Sequence, residues 1–273
     1  MSDQVPDHLP EVAAMFDRLA AGYDQTGVPY YALIAAGLVD RLHVQPGERV
    51  LDIGAGRGAA TFPLADAVGE GGRVDAIDFA PGMVEHLARD TAHLPQVHVA
   101  EGDATDPPPG AAPYDVVAAS LVVFFVPDPV EALARWRALI RPGGRLGVAT
   151  FQPWFGTWQA LDDIYLEFAG QQHSSASQQS AFEGDAGVER MLTEAGYGEV
   201  RTDLVTHPIH FDDVDQWVRW SRAGTVMGGI WNRTDEADHP EILRRATATL
   251  EDSRGADGRI VLEVGARYTF GTA

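Results

Sequence analysis

The sequence predicts an α/β fold in which helices cover both faces of a parallel sheet, and two observations carry that expectation. Between residues 48 and 151, short apolar runs alternate strictly with helical periods, the pattern of strand–helix units rather than hairpins. At 273 residues the chain can bury a sizeable core, and 45% hydrophobic against 22% charged residues is a globular balance.

The first forty residues read as two helices. Val12, Met15, Phe16 and Leu19 recur at helical spacing, and Leu33, Ala36, Gly37 and Leu38 place a second helix after Pro29. Strands are predicted at 50–53, 73–77, 97–100, 115–119 and 146–151, with a helix at 131–140 whose Leu133, Trp136 and Ile140 share one face. Residues 152–181 break the alternation with Trp154, Phe155, Trp158, Tyr165 and Phe168 followed by a polar run at 171–175, and read as an inserted lid rather than a core element. A helix at 185–195 and a strand at 199–207 resume the pattern. A helical insertion at about 212–251 then precedes a last strand at 259–270. The expected division is a helical cover (1–47), a ligand-binding core (48–151), a lid (152–184) and the rest of the sheet with its insertion (185–273).

All 20 basic residues are arginine, 40 residues are acidic, and the net charge is −20. With no lysine there is no Schiff base and no phosphate-loop lysine, and with no cysteine there is no thiol nucleophile, thiolate metal site or disulfide. The acidity argues against nucleic acid, since the nearest thing to a basic patch is Arg244-Arg245 among acids. A substrate arriving by diffusion is expected to be a neutral or cationic small molecule. The amino-terminal residues lack a signal-peptide pattern, and the longest apolar stretch, 116–127, is too short to span a bilayer, so a cytoplasmic location without membrane contact is expected. The pattern specifies no oligomeric state.

The sharpest local signal is Leu51-Asp52-Ile53-Gly54-Ala55-Gly56-Arg57-Gly58-Ala59, a strand running through glycines into a helix. Such a loop lets backbone approach a ligand and offers the free amides of a helix N-terminus. Gly54, Gly56 and Ala59 also fit a dinucleotide fingerprint, with Asp78 as its acid. Three acids favour a different ligand. Asp52, directly before the glycines, would repel a pyrophosphate and attract an amino group. Asp78 closes the second strand, where it can accept both hydroxyls of a ribose, and Asp103 closes the third, where it can accept from the exocyclic amine of adenine. Amine, ribose and adenine without phosphate is the combination these positions suit.

Together with Ile77-Asp78-Phe79-Ala80-Pro81-Gly82-Met83, Gly102-Asp103-Ala104, Tyr114-Asp115-Val116-Val117 and Leu139-Ile140-Arg141-Pro142-Gly143-Gly144-Arg145-Leu146, the glycine segment resembles the class I S-adenosylmethionine-dependent methyltransferases of small-molecule type. The resemblance covers about 48–151, continues more loosely to the C-terminus, and implies a doubly wound, Rossmann-like, seven-stranded mixed sheet whose last strand is antiparallel and lies beside the fifth. It also implies S-adenosyl-L-methionine as cofactor, lying across the carboxyl ends of strands one to four. By similarity, Asp52, Gly54, Ala55 and Gly56 would hold the methionine moiety, Asp78 and Phe79 the ribose side, and Asp103 with Ala104 the adenine. Met83 would pack on the adenine face, and Ser120 and Leu121 would line the methionine side. The segment from Phe16 to Asp24 looks like the family's N-terminal cofactor cover, in which Tyr23 would close over the sulfonium.

Where family members often carry histidines after the fourth strand, this chain has Phe124 and Phe125, which makes the expected pocket drier and removes an obvious base. His173 in the lid is the candidate base for an acceptor that must lose a proton. His207 and His210 with Asp212 and Asp213 fall across a strand end and turn, and Gln152 stands where metal-dependent members carry an acid, so no metal is expected. Phe124, Phe125, Trp154 and Trp158 are expected to form a pocket for a flat or apolar metabolite, with Trp217, Trp220 and Trp231 nearby. The resulting expectation is methylation, foremost at oxygen, of a small molecule of secondary metabolism. The alternative is a protein of this fold that binds the cofactor and catalyses a non-methylating rearrangement or cyclisation.

Overall fold

The computed structural model describes residues 9–108, 110, 112–169, 185–223, 231 and 234–273. Seven strands form one sheet in the order β3-β2-β1-β4-β5-β7-β6. They are β1 (Arg49–Ile53), β2 (Arg73–Asp78), β3 (Val97–Glu101), β4 (Tyr114–Ser120), β5 (Ile140–Phe151), β6 (Gly198–Phe211) and β7 (Ile260–Thr272). β1 to β5 run parallel, and β7 is antiparallel to both of its neighbours, β5 and β6. The expected mixed Rossmann-like sheet is therefore present, with its last strand beside the fifth.

Alternation along the strands sorts the core into two layers. In β4, Val116 and Ala118 face one side with Val50, Val74 and Ala149, where α2 (Tyr30–Leu42) and α3 (Thr61–Val68) supply Ile34, Leu38, Leu42, Leu64 and Val68. Val117 and Ala119 face the other side with Leu51, Ile53 and Leu146. There α5 (Pro129–Leu139) brings Leu133 and Trp136, and α7 (Asp185–Glu194) brings Val188 and Leu192. α4 (Pro81–Asp90) rests Leu87 against Ala76 of β2. α1 (Leu9–Leu19) lies across α4 at the rim, where Phe16 packs on Met83 and Ala80.

Two strands run further than the sequence pattern indicates. β5 starts at Ile140, paired with Tyr114 across a register shift, and the glycine-rich 141–144 stretch hides that start from a hydrophobic pattern. β6 continues to Phe211 through Pro208, which is tolerated because β6 is an edge strand. Beyond Phe151, the β6–β7 ladder projects past the carboxyl edge of the sheet to the pair Phe211–Ile260. α6 (Thr157–Ala169) and α8 (Val214–Ala223) pack on this projection, and α9 (His239–Glu251) packs on α6 and α8.

The reading of α6 as lid is corrected by its burial. Trp158, Leu161, Ile164 and Tyr165 are at most 6% exposed and belong to the same core as α2. An i, i+3, i+6, i+7 stripe of large apolar residues is a buried helix face, and here it docks on the β6–β7 projection. The remainder of the expected lid, 170–184 with His173, lies outside the described residues.

Candidate active site

The ends of β1 and β2 are tied by short hydrogen bonds. Asp52, 1% exposed, accepts from the Thr61 hydroxyl at 2.6 Å, which joins the strand to the first turn of α3. Burial raises its pKa to about 7; the Thr61 bond opposes the shift and the neighbouring Asp78 charge adds to it. Asp78 accepts the Gly56 amide on Oδ2 at 2.8 Å and the Ala80 amide on Oδ1 at 2.9 Å. Its burial raises the pKa against the amides that hold its ionised form. One carboxylate at the end of β2 thus fixes both the glycine loop and the entry to α4.

Gly54, Gly56 and Gly58 all have positive φ, at 68°, 53° and 91°. A Cβ on Gly54 would lie 2.4 Å from Val122, and one on Gly58 would meet Leu87 and Phe62, so both are closed by packing. Gly56 differs: nothing lies within 4 Å of its would-be Cβ. Its amide is held by Asp78 while its face opens on free space, beside an α3 N-terminus whose N-cap, Ala60, offers no side-chain bond.

Around this loop the other expected site residues fall into place unevenly. Asp103 is exposed just beyond β3, where Oδ1 accepts the Thr105 amide at 2.7 Å, and the Ala104 carbonyl accepts from Trp136 Nε1 at 2.7 Å. Ser120 ends β4, and Leu121 turns with φ 61° while its amide bonds Ala149. Ala55 is buried and its amide bonds the Ile77 carbonyl. Phe79 is half-buried beneath Phe16, whereas Met83 is 1% exposed and packs with Ala20 and Ala80 under the amino-terminal segment.

That segment is clasped down by residues the sequence reading passed over. Asp17 Oδ1 accepts the Gly82 amide at 2.7 Å, and so caps α4 from another helix. Arg57 of the glycine loop donates to the Ala20 carbonyl and to Asp90, both at 2.8 Å. Tyr23 is held beside Tyr31 in a stacked pair, centroids 4.9 Å apart. Burial raises the pKa of its hydroxyl, with Tyr31, Asp24 and Asp78 adding to the shift.

Seven rings close a circuit over the ends of β4 and β5. It runs Phe16, Tyr23, Tyr31, Tyr30, Phe151, Phe124, Phe125 and back to Phe16, with successive centroids 4.8 to 6.2 Å apart. Phe124 and Phe125 lie in the short turn after β4, in company that only the fold assembles. Trp158 is 3% exposed and sits against Tyr30 and Trp220, and half-buried Trp154 lies 6.1 Å from Trp158. Trp217 and Trp220 are buried in the same cluster. His207 bonds the Tyr268 hydroxyl at 2.6 Å beneath α2. Among the described residues no three His, Cys, Asp or Glu side chains gather as metal ligands.

A methyltransferase-domain profile matches residues 50–144, the span from β1 to the start of β5. The chain is 37% identical over 173 residues to a demethylmenaquinone methyltransferase of Renibacterium salmoninarum, an alignment covering 60% of this chain and 68% of that one. It belongs to the class I S-adenosylmethionine-dependent methyltransferases. It is also 44% identical over 136 residues to the nocamycin O-methyltransferase of Saccharothrix syringae, covering 49% of each chain, so that match spans about half of the relative's length. Among solved structures, the YcgJ protein of Bacillus subtilis superposes with a TM-score of 0.55 at 17% identity, covering 87% of this chain and 97% of that one, a likeness of fold.

The residues present fit the family's cofactor, S-adenosylmethionine. Open space over Gly56 is a cradle that a side chain would fill, and it adjoins the N-terminus of α3, whose positive dipole end suits a carboxylate. Asp52 and Asp78 are two buried acids whose ionised forms a cationic ligand would favour. No described helix is long and apolar enough to cross a membrane.

Proposed function

We propose that this protein transfers a methyl group from S-adenosylmethionine to an oxygen of a small, aromatic or apolar metabolite of secondary metabolism. The observation that carries this reading is the aromatic circuit, which joins Tyr23 of the amino-terminal segment to apolar rings at the ends of β4 and β5. The name of the nocamycin relative supports oxygen as acceptor. The cofactor, when bound, supplies an electrophilic methyl group on a sulfonium. The chain's own work is to hold the reactants in line and keep water out. Asp78 would hold the ribose, Asp103 and Ala104 the adenine, and Asp52, Gly54, Ala55 and Gly56 the methionine end, with Ser120 and Leu121 beside it. Residues 1–47 would act as the cover, 48–151 as the cofactor core, and 185–273 as the rest of the sheet. His173, within 152–184, is the sequence's candidate for removing the acceptor's proton. Trp154, Phe124 and Phe125 would face the acceptor, with Trp158 behind them as support.

Calorimetric titration with S-adenosylmethionine, S-adenosylhomocysteine and NAD tests the reading. Micromolar binding of the first two without NAD, followed by a product heavier by one methyl group, is the expected result. Cofactor binding with no methylated product from any acceptor tried would favour the rearrangement alternative. No binding of either sulfur compound by folded protein would overturn the cofactor assignment.

A further inference from the structure

The turn between α1 and α2 holds a buried carboxylate oxygen without a hydrogen-bond partner. Asp24 Oδ1 and Thr26 Oγ1 are buried polar atoms without hydrogen-bond partners, and both residues line a small pocket with Tyr23, Tyr31, Trp220 and Ala223. Asp24 adopts φ 57°, a left-handed backbone conformation that Asp reaches more readily than most residues. A buried carboxylate oxygen left unpaired is costly unless a ligand completes it. The pocket touches the aromatic circuit at Tyr23 and Tyr31, so a group bound there lies between the cofactor loop and the helices on the β6–β7 projection.

We infer that Asp24, in place of the sequence's candidate His173, receives the hydrogen of the acceptor's hydroxyl, a phenol or enol, and is the base of the methyl transfer, with Thr26 as a second polar contact. This rests on the proposed methyltransferase reading. The step balances without any other reactant. As the acceptor oxygen bonds the methyl carbon, the carbon–sulfur bond breaks, its electron pair stays on sulfur, and the hydroxyl proton passes to Asp24. Burial pushes the Asp24 carboxyl up to about 6, and Arg57 from the glycine loop pulls it back. The other titratable groups facing it are Tyr23 and Tyr31, and α8 contributes only the uncharged Trp220 and Ala223. A negatively charged acid in this pocket disfavours a carboxylate acceptor and selects a neutral hydroxyl.

The test uses the full chain loaded with S-adenosylhomocysteine, with 2-naphthol as probe and tryptophan fluorescence as readout, since Trp220 lines the pocket. Saturable quenching is expected for the wild type, at least about tenfold weaker binding for Asp24→Asn, and about threefold weaker binding for Thr26→Val. 2-Naphthoate should bind less tightly than 2-naphthol. Asparagine tolerates positive φ, so the variant should fold. Without ligand, its melting temperature should gain on the wild type as pH rises from about 4 to 6, because only the wild type must then ionise a buried acid.

The inference is overturned by any of three results: no saturable quenching up to millimolar 2-naphthol, equal binding to Asp24→Asn and Thr26→Val, or tighter binding of the naphthoate. It is also overturned if Asp24→Asn weakens S-adenosylhomocysteine tenfold, which would assign the residue to the cofactor. Failure of the wild type to bind S-adenosylhomocysteine at all sinks the broader reading instead, and the two failures are thereby distinguished.

Discussion

At the ends of β1 and β2 the cleft is held by hydrogen bonds of 2.6 to 2.9 Å from a hydroxyl and two amides to two carboxylates. At the ends of β4 and β5 it is held by seven rings at 4.8 to 6.2 Å, with buried polar atoms left unpaired in the turn and helices behind them. The first half is directional and local in sequence, as a site for one unvarying ligand can be. The second half draws on residues 16 to 151, so on the proposed reading acceptor preference can change there without disturbing the glycine loop. Variants in the directional half should therefore change cofactor affinity steeply.

The largest effect is expected from Gly56→Ala. Its Cβ would enter space that is open in the ligand-free protein, so the direct cost to folding is limited to the positive φ, about 1–2 kcal/mol. Cofactor binding should fall much further, by more than about 30-fold, because the methyl group would occupy the cradle. Calorimetry beside thermal melting separates the two. Full affinity with a lowered melting temperature would show that the ligand does not approach this glycine.

Asp78→Asn comes next. The amide keeps the size of the side chain but loses the charge that the Gly56 and Ala80 amides support. S-Adenosylmethionine binding is expected to weaken by about 1–3 kcal/mol. Unchanged affinity would remove the ribose assignment.

A pH effect should follow from Asp52. Its pKa in the folded protein, about 7, lies above the ordinary carboxylate value, so burial disfavours ionisation. The empty protein therefore loses this group's contribution to stability as pH rises from about 4 through 7. A cationic ligand reverses the preference, so cofactor affinity should drop by about tenfold between pH 7.5 and 6, and Asp52→Asn should flatten the profile. A wild-type profile that is already flat over that range would place the ligand's charge away from Asp52.

The same contrast explains what could be read from the chain. Asp52, Gly54, Gly56 and Asp78 are legible because strand, glycine and acid must follow one another within a few residues to make such a loop. The circuit is not, because Phe16, Tyr30, Phe124 and Phe151 meet only when α1, α2 and the ends of β4 and β5 converge. The aromatic run from Trp154 to Phe168 marked an insertion, yet it could not say whether the Trp158 and Tyr165 stripe faces a core or a substrate. The β6–β7 projection that decides this is formed by strands forty or more residues further on. Asp24 gave no signal either, since an Asp in a Gly-rich turn ordinarily bonds its own backbone.

The smallest expected effect tests whether the two halves are coupled through the cover. Asp17 reaches from α1 to the Gly82 amide, and Gly82 has little room to adjust, because its would-be Cβ already lies 2.8 Å from that carboxylate. The bond is exposed, so Asp17→Ala should leave the sheet intact and merely loosen the hold of α1 on α4. Phe16 and Tyr23 would then cover the cleft for less of the time. Because Arg57 still grips the Ala20 carbonyl, the loss is partial: cofactor affinity should weaken by about threefold, mainly through faster dissociation. Stopped-flow release of S-adenosylhomocysteine measures this directly. If dissociation is unchanged while binding of the aromatic probe weakens, the clasp serves the ring circuit alone, and the cofactor half closes without it.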